Sequence, residues 1–126
     1  MINLVPEVAA ALRGSAELIG LLSGDRIYRH TVPSDKAKLF PRITFFEMSN
    51  FDNRYIEDLA DSSEIHYQVD IWSMNPSTAA LGTAVDVAMK GVGFARYSGA
   101  DLYEEDTKIY HKAMRYRMVR RYEEEI

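Results

Sequence analysis

The chain has 126 residues, 47% of them apolar and 27% charged, a balance that fits one folded domain with an ordinary core and argues against disorder. A net charge of −4 gives no global attraction to nucleic acid or an acidic membrane, and the absence of cysteine removes disulfides, thiolate catalysis and cysteine metal sites. The first twelve residues include Pro6 and Glu7 without a basic start, so they do not read as a signal peptide, and the apolar runs fall far short of the ~20 residues that span a bilayer. A cytoplasmic product is the default expectation.

Leu4 to Leu22 reads as helix, with Val5, Val8, Ala9, Leu12, Ala16, Leu18, Ile19 and Leu22 forming an apolar stripe and Ser15 placed to cap a second short segment. Ser23-Gly24-Asp25 is a stop and turn signal. Arg26 to His30 is a short strand candidate, the proline-bearing stretch from Thr31 to Pro41 a loop, and Arg42 to Ser49 a second strand. Asn50 to Asp61 is polar with interspersed aromatics and reads as an exposed loop between two strands. Ser63 to Ser73 is the clearest strand: Ile65, Tyr67, Val69 and Ile71 alternate with His66, Gln68, Asp70 and Trp72, a period of two with one buried face.

Asn75-Pro76 then predicts a helix start, with Asn as cap and Pro at the first position, and Leu81, Ala84, Val85 and Ala88 mark its inner face as far as Lys90. Gly91 and Gly93 end it. Phe94 to Tyr103 predicts a strand bent at Ser98-Gly99, Glu104-Glu105-Asp106 a hairpin turn, and Lys108 to Tyr122 a long last strand, followed by an acidic tail from Glu123 to Glu125. On that strand Tyr110, Met114, Tyr116, Met118 and Tyr122 share one face, and His111, Arg115, Arg117 and Arg121 the other. The expected fold is α+β: a mostly antiparallel sheet of four or five strands, with an N-terminal helix and a central helix of about residues 76–90 covering one face.

No motif carries catalysis. The three histidines, His30, His66 and His111, lie on separate strands without metal-ligand spacing; two of them converging with Asp70 or Glu47 is the nearest approach to a metal site. No G-x-S-x-G and no G-x-x-x-x-G-K-[ST] occurs, and Gly91-Val92-Gly93 follows a helix where a phosphate cradle would precede one. The acidic runs fall in turns and at the terminus, where solvation explains them. On the last strand, Lys108, Lys112, Arg115, Arg117, Arg120 and Arg121 interleave with tyrosines, as in sheets that bind single strands. Core packing beside Met114 and Met118 accounts for the tyrosines, and flanking acids oppose the charge, so a solvated sheet face or a charged protein interface is favoured over nucleic-acid binding. Phe51, Tyr55, Ile56 and Leu59 are out of place in a polar segment: they fold back on the core or anchor a partner.

Four segments in order resemble the phage tail-completion proteins, which join heads to tails in long-tailed phages and prophages. They are Gly24-Asp25-Arg26-Ile27-Tyr28 after the N-terminal helix, Phe40-Pro41-Arg42-Ile43-Thr44-Phe45, Val69-Asp70-Ile71-Trp72-Ser73 leading into the alanine-rich helix, and Asp101-Leu102-Tyr103-Glu104 before the closing strand. The resemblance spans about Val5 to Tyr122 and implies a single tail-completion domain over residues 1–126. It implies a structural virion protein at the head–tail junction, found in the host cytoplasm during assembly, with no catalytic residues, metal or cofactor. Its partners would be the tail-tube protein and the head-completion or connector protein, met as a hexameric ring. Within that reading Arg115, Arg117, Arg121, Phe51 and Tyr55 are the expected interface residues. The competing readings are a ferredoxin-like ligand-binding or enzymatic domain and a single-stranded nucleic-acid binder.

Overall fold

In the computed structural model, which describes residues 1–122, three helices lie against one face of a five-stranded sheet. The acidic tail read at Glu123–Glu125 lies outside the described residues. The N-terminal stretch is two helices, α1 (Val5–Arg13) and α2 (Ala16–Leu22). The break between them is chemical: the Ser15 hydroxyl accepts a hydrogen bond from the Leu18 N–H at 3.2 Å and so starts a new helix. Val8 and Leu12 of the first and Leu18 and Leu22 of the second are buried, as the stripe requires.

Strand β1 (Ile27–Arg29) runs parallel to β2 (Arg42–Ile56), and the loop between them holds one 3₁₀ turn at Ser34–Lys36 and a cis Phe40–Pro41 peptide. Strands β3 (Leu59–Ser73), β4 (Ala95–Glu104) and β5 (Ile109–Arg121) complete a sheet of order β1-β2-β3-β5-β4, antiparallel except at β1. Ile43, Phe45, Ile65, Tyr67, Val69, Ile71, Met114, Tyr116 and Met118 point to the helix side and form one core with the helices.

The expected loop from Asn50 to Asp61 is instead the outer half of a long β2–β3 hairpin, closed at Glu57-Asp58. Both turn residues take left-handed backbone, φ 51° and 64°, the pattern of a type I′ turn. Neither the asparagine nor the glycine that usually signals this turn is present. Register shifts between Glu47 and Ser49 and again between Asp52 and Tyr55 break the alternation that would have marked a strand.

The helix α3 (Ala79–Val92) starts three residues later than the expected Pro76 and passes through Gly91 before ending at Gly93. Asn75 does not cap it: its side chain accepts from the Ser77 N–H at 2.8 Å, a local turn that uses up the Asn-Pro pair and leaves Thr78 as the cap position. Gly93 closes the helix at φ 117°, where a Cβ would also sit 3.1 Å from the Met118 sulfur. In β4 the irregularity falls between Arg96 and Ser98, slightly ahead of the expected bend at Ser98-Gly99.

Candidate functional site

Alternation along a strand gives the sheet a second face, and among the described residues no helix covers it. The strand register lays its side chains out in rows: Phe46, Gln68 and Arg115; Ser49, His66 and Arg117; Phe51, Glu64 and Val119. This face is therefore built from the polar halves of the same strands that build the core.

Its members are tied to one another across strands. The Trp72 ring stacks on His111 at 3.8 Å and 11° between planes, while its Nε1–H donates to the Thr44 hydroxyl at 2.9 Å. His111 Nε2 meets the Asp70 carboxylate at 2.7 Å, Gln68 Nε2 donates to the same oxygen at 2.8 Å, and Arg115 Nε donates to Gln68 at 3.2 Å. Asp70 is only 4% exposed, so this row of polar groups seals its own centre from water.

Towards the other end, His66 sits between Phe51, stacked at 6.2 Å, and Tyr97, edge-on at 5.4 Å. Its Nε2 contacts Glu64 at 2.7 Å, and Arg117 reaches the same carboxylate at 3.3 Å. The hydrogen bond with His66, and after it the Arg117 guanidinium, hold the Glu64 carboxyl below its ordinary range. Asp61 lies 3.5 Å from Arg54 and 3.8 Å from Arg121.

Arg115, Arg117 and Arg121 are thus on one exposed face, each with a partner on β3 or at its start. Phe51 shares that face. Tyr55 does not: it belongs to the end of the hairpin, which runs on past the last β3–β5 pair, Ser62 with Arg121. There Tyr55 is 60%, Ile56 48% and Leu59 73% exposed. The apolar residues of this segment therefore do not fold back onto the core. Sequence reasoning placed Trp72 on this side of β3 but missed Glu64 and Tyr97 as parts of the face. The alternation in β3 marked its polar side, but which partner each side chain meets depends on the register of four strands.

The histidines are not gathered. His30 stacks near Phe46, and His66 and His111 stand at opposite ends of the open face. His111 does converge with Asp70, but among the described residues no three His, Asp or Glu side chains form a group able to hold a metal. On the helix side, a cleft of about 290 Å³ between α3 and β4 holds the Asp86–Arg96 pair, and the Tyr116 hydroxyl donates to Asp86 at 2.5 Å. Burial first, then that acceptor, pushes the Tyr116 hydroxyl well above its ordinary value.

No curated protein matches the chain in sequence. A chain from a solved structure described as the virion of a native gene transfer agent particle shares the fold at a TM-score of 0.66 and 12% identity, over 90% of this chain and 91% of that one. Residues 6–121 match the family described as tail completion protein gp17. That span takes in all three helices and all five strands except for the first residue of α1, so the chain belongs to the tail completion protein gp17 family and is a structural virion protein.

Proposed function

We propose that this protein closes the end of a phage-type tail tube as a single-domain, non-enzymatic ring subunit and presents the surface on which the head connector docks. The family match over nearly the whole chain carries this reading. The open sheet face supports it: it is broad, aromatic and charged, and its side chains are held in place by cross-strand bonds before any partner arrives. We assign Arg115, Arg117, Arg121 and Phe51 to that docking face and Tyr55 to the projecting hairpin. A hexamer located at the head–tail junction is the assembly this role calls for. The partners are then a tail-tube protein on one side and a connector protein on the other.

Co-sedimentation with tail tubes of the same phage or prophage tests the reading. Stoichiometric binding at the tube end with gain of head joining is the expected result. Arg115→Glu/Arg117→Glu/Arg121→Glu is expected to abolish joining while circular dichroism and the unfolding transition remain those of a folded chain. Wild-type joining by that variant would remove the open face from the mechanism, and no tube binding by the folded native chain would remove the role itself.

A further inference from the structure

The two ends of the β2–β3 hairpin are opposite in shape and charge. At the closed end, residues 52–61 carry Asp52, Glu57, Asp58 and Asp61 against a lone Arg54, and Tyr55, Ile56 and Leu59 flank the acidic turn in the open. Among the described residues no other strand pairs with the hairpin beyond Ser62, so this is a two-stranded arm with an acidic apex flanked by apolar side chains.

At the other end, where β2 begins and β3 finishes, residues 26–42 carry Arg26, Arg29, Lys36, Lys38 and Arg42 against a lone Asp35. Here the loop after β1 bends beside the sheet and leaves a cleft of about 350 Å³. Val32, Ala37, Trp72 and Ile109 give it apolar walls, His30 and Arg42 a basic side, and Glu104 an acid on the far rim. The Arg42 guanidinium lies over the Phe40 ring at 4.3 Å and donates through Nη1 to the Ala37 carbonyl at 2.6 Å, but its Nε is buried without a hydrogen-bond partner. A cation with a donor left over, set in an apolar cleft, is complementary to a carboxylate carried on an apolar knob.

We propose that the hairpin arm of one copy docks in this cleft of the next copy, with Ile56 and Leu59 on the apolar walls and Glu57 and Asp58 against the Arg42 and Lys36–Lys38 side. A copy cannot satisfy itself. The knob and the hole lie at opposite ends of the same strands, roughly 45 Å apart at ~3.3 Å per residue. The contact is therefore heterologous, knob to hole, the kind of interface that closes into rings when the rotation between copies permits. This rests on the ring reading above and names the surface that makes it.

The chain has no cysteine, so single thiols report the contact cleanly. Asp58→Cys protein is mixed with Lys38→Cys protein, free and in the presence of tail tubes, and treated with a short bis-maleimide. Val87→Cys, on the exposed side of α3, is the control partner. Tip-to-loop dimers at roughly tenfold the control yield are expected, as for an association of complementary charged surfaces. A charge swap in the thiol-bearing proteins sharpens this: Glu57→Lys added to Asp58→Cys protein loses the link to Lys38→Cys protein, and Lys36→Glu added to that partner restores it. Equal yields for loop and control in both settings, or a tip that links only to a tube protein, overturns the proposal. Tube binding without the link leaves the joining role standing and this contact wrong; the link without tube binding does the reverse.

Discussion

The two faces of the sheet are made by the same strands and held by different physics. On the helix side, Tyr67 and Tyr116 are fully buried among Ile65, Val69, Met114 and the helical residues, and apolar burial dominates. On the open side, the centre is sealed by bonds between polar groups: Trp72 to Thr44, His111 to Asp70, Gln68 to Asp70 and Arg115 to Gln68. The first arrangement stabilises the monomer. The second adds less net stability per bond but fixes the direction of each side chain, which is what a docking face needs.

The comparison is broken first on the core side. Tyr116→Ala removes a fully buried aromatic and is expected to cost about 3–5 kcal/mol in denaturant unfolding, enough to threaten folding of a marginal domain. On the open face, Asp70→Ala leaves Gln68 and His111 without their shared acceptor and is expected to cost about 2 kcal/mol. A loss as large as that of Tyr116→Ala would mean that the open face, too, is a folding core.

The finest test separates the two buried tyrosines. The Tyr67 hydroxyl is buried without a hydrogen-bond partner, so Tyr67→Phe is expected to leave stability at neutral pH unchanged or slightly raised. Burial, with the Glu47 charge second, pushes that hydroxyl up to about 12. An unfolded tyrosine ionises near pH ~10, so from there to about 12 the folded chain holds the extra proton. The stabilisation is complete below pH ~10 and is lost as pH rises through about 12. Unfolding curves across that window should decline less steeply in Tyr67→Phe than in the native chain, and an unchanged slope would show that Tyr67 is not the group responsible.

How far the fold is legible in the residues depends on which face speaks. The period of two in Ser63 to Ser73 predicts a strand with its buried side, and the structure buries Ile65, Tyr67, Val69 and Ile71 as that pattern requires. The N-terminal stripe likewise predicts the helix, and Ser15 its break. The outer hairpin is illegible for a physical reason: a two-stranded arm with neither face covered by a helix imposes no apolar alternation, and two register shifts scramble what remains. Asn75-Pro76 misleads because an asparagine side chain serves a local turn as readily as a helix end.

The candidate site divides in the same way. Placement of Arg115, Arg117 and Arg121 on one side of the last strand needs only strand periodicity. Their partners do not follow from it, because Gln68, Glu64 and Asp61 are 47 to 60 positions away in the chain and meet them only when β3 and β5 take one register out of many.

Alone, then, the sequence determined the α+β class, the helix-facing core and the order of segments that resembles the tail-completion family, since these rest on local periodicity and turn chemistry. The tertiary structure alone decided the parallel place of β1, the projecting arm, the sealed polar centre at Asp70 and the cleft beside Arg42. Each of these depends on which distant segments become neighbours, and long-range pairing is a property of the folded chain as a whole, set by the combined burial of one sheet face rather than by any local signal.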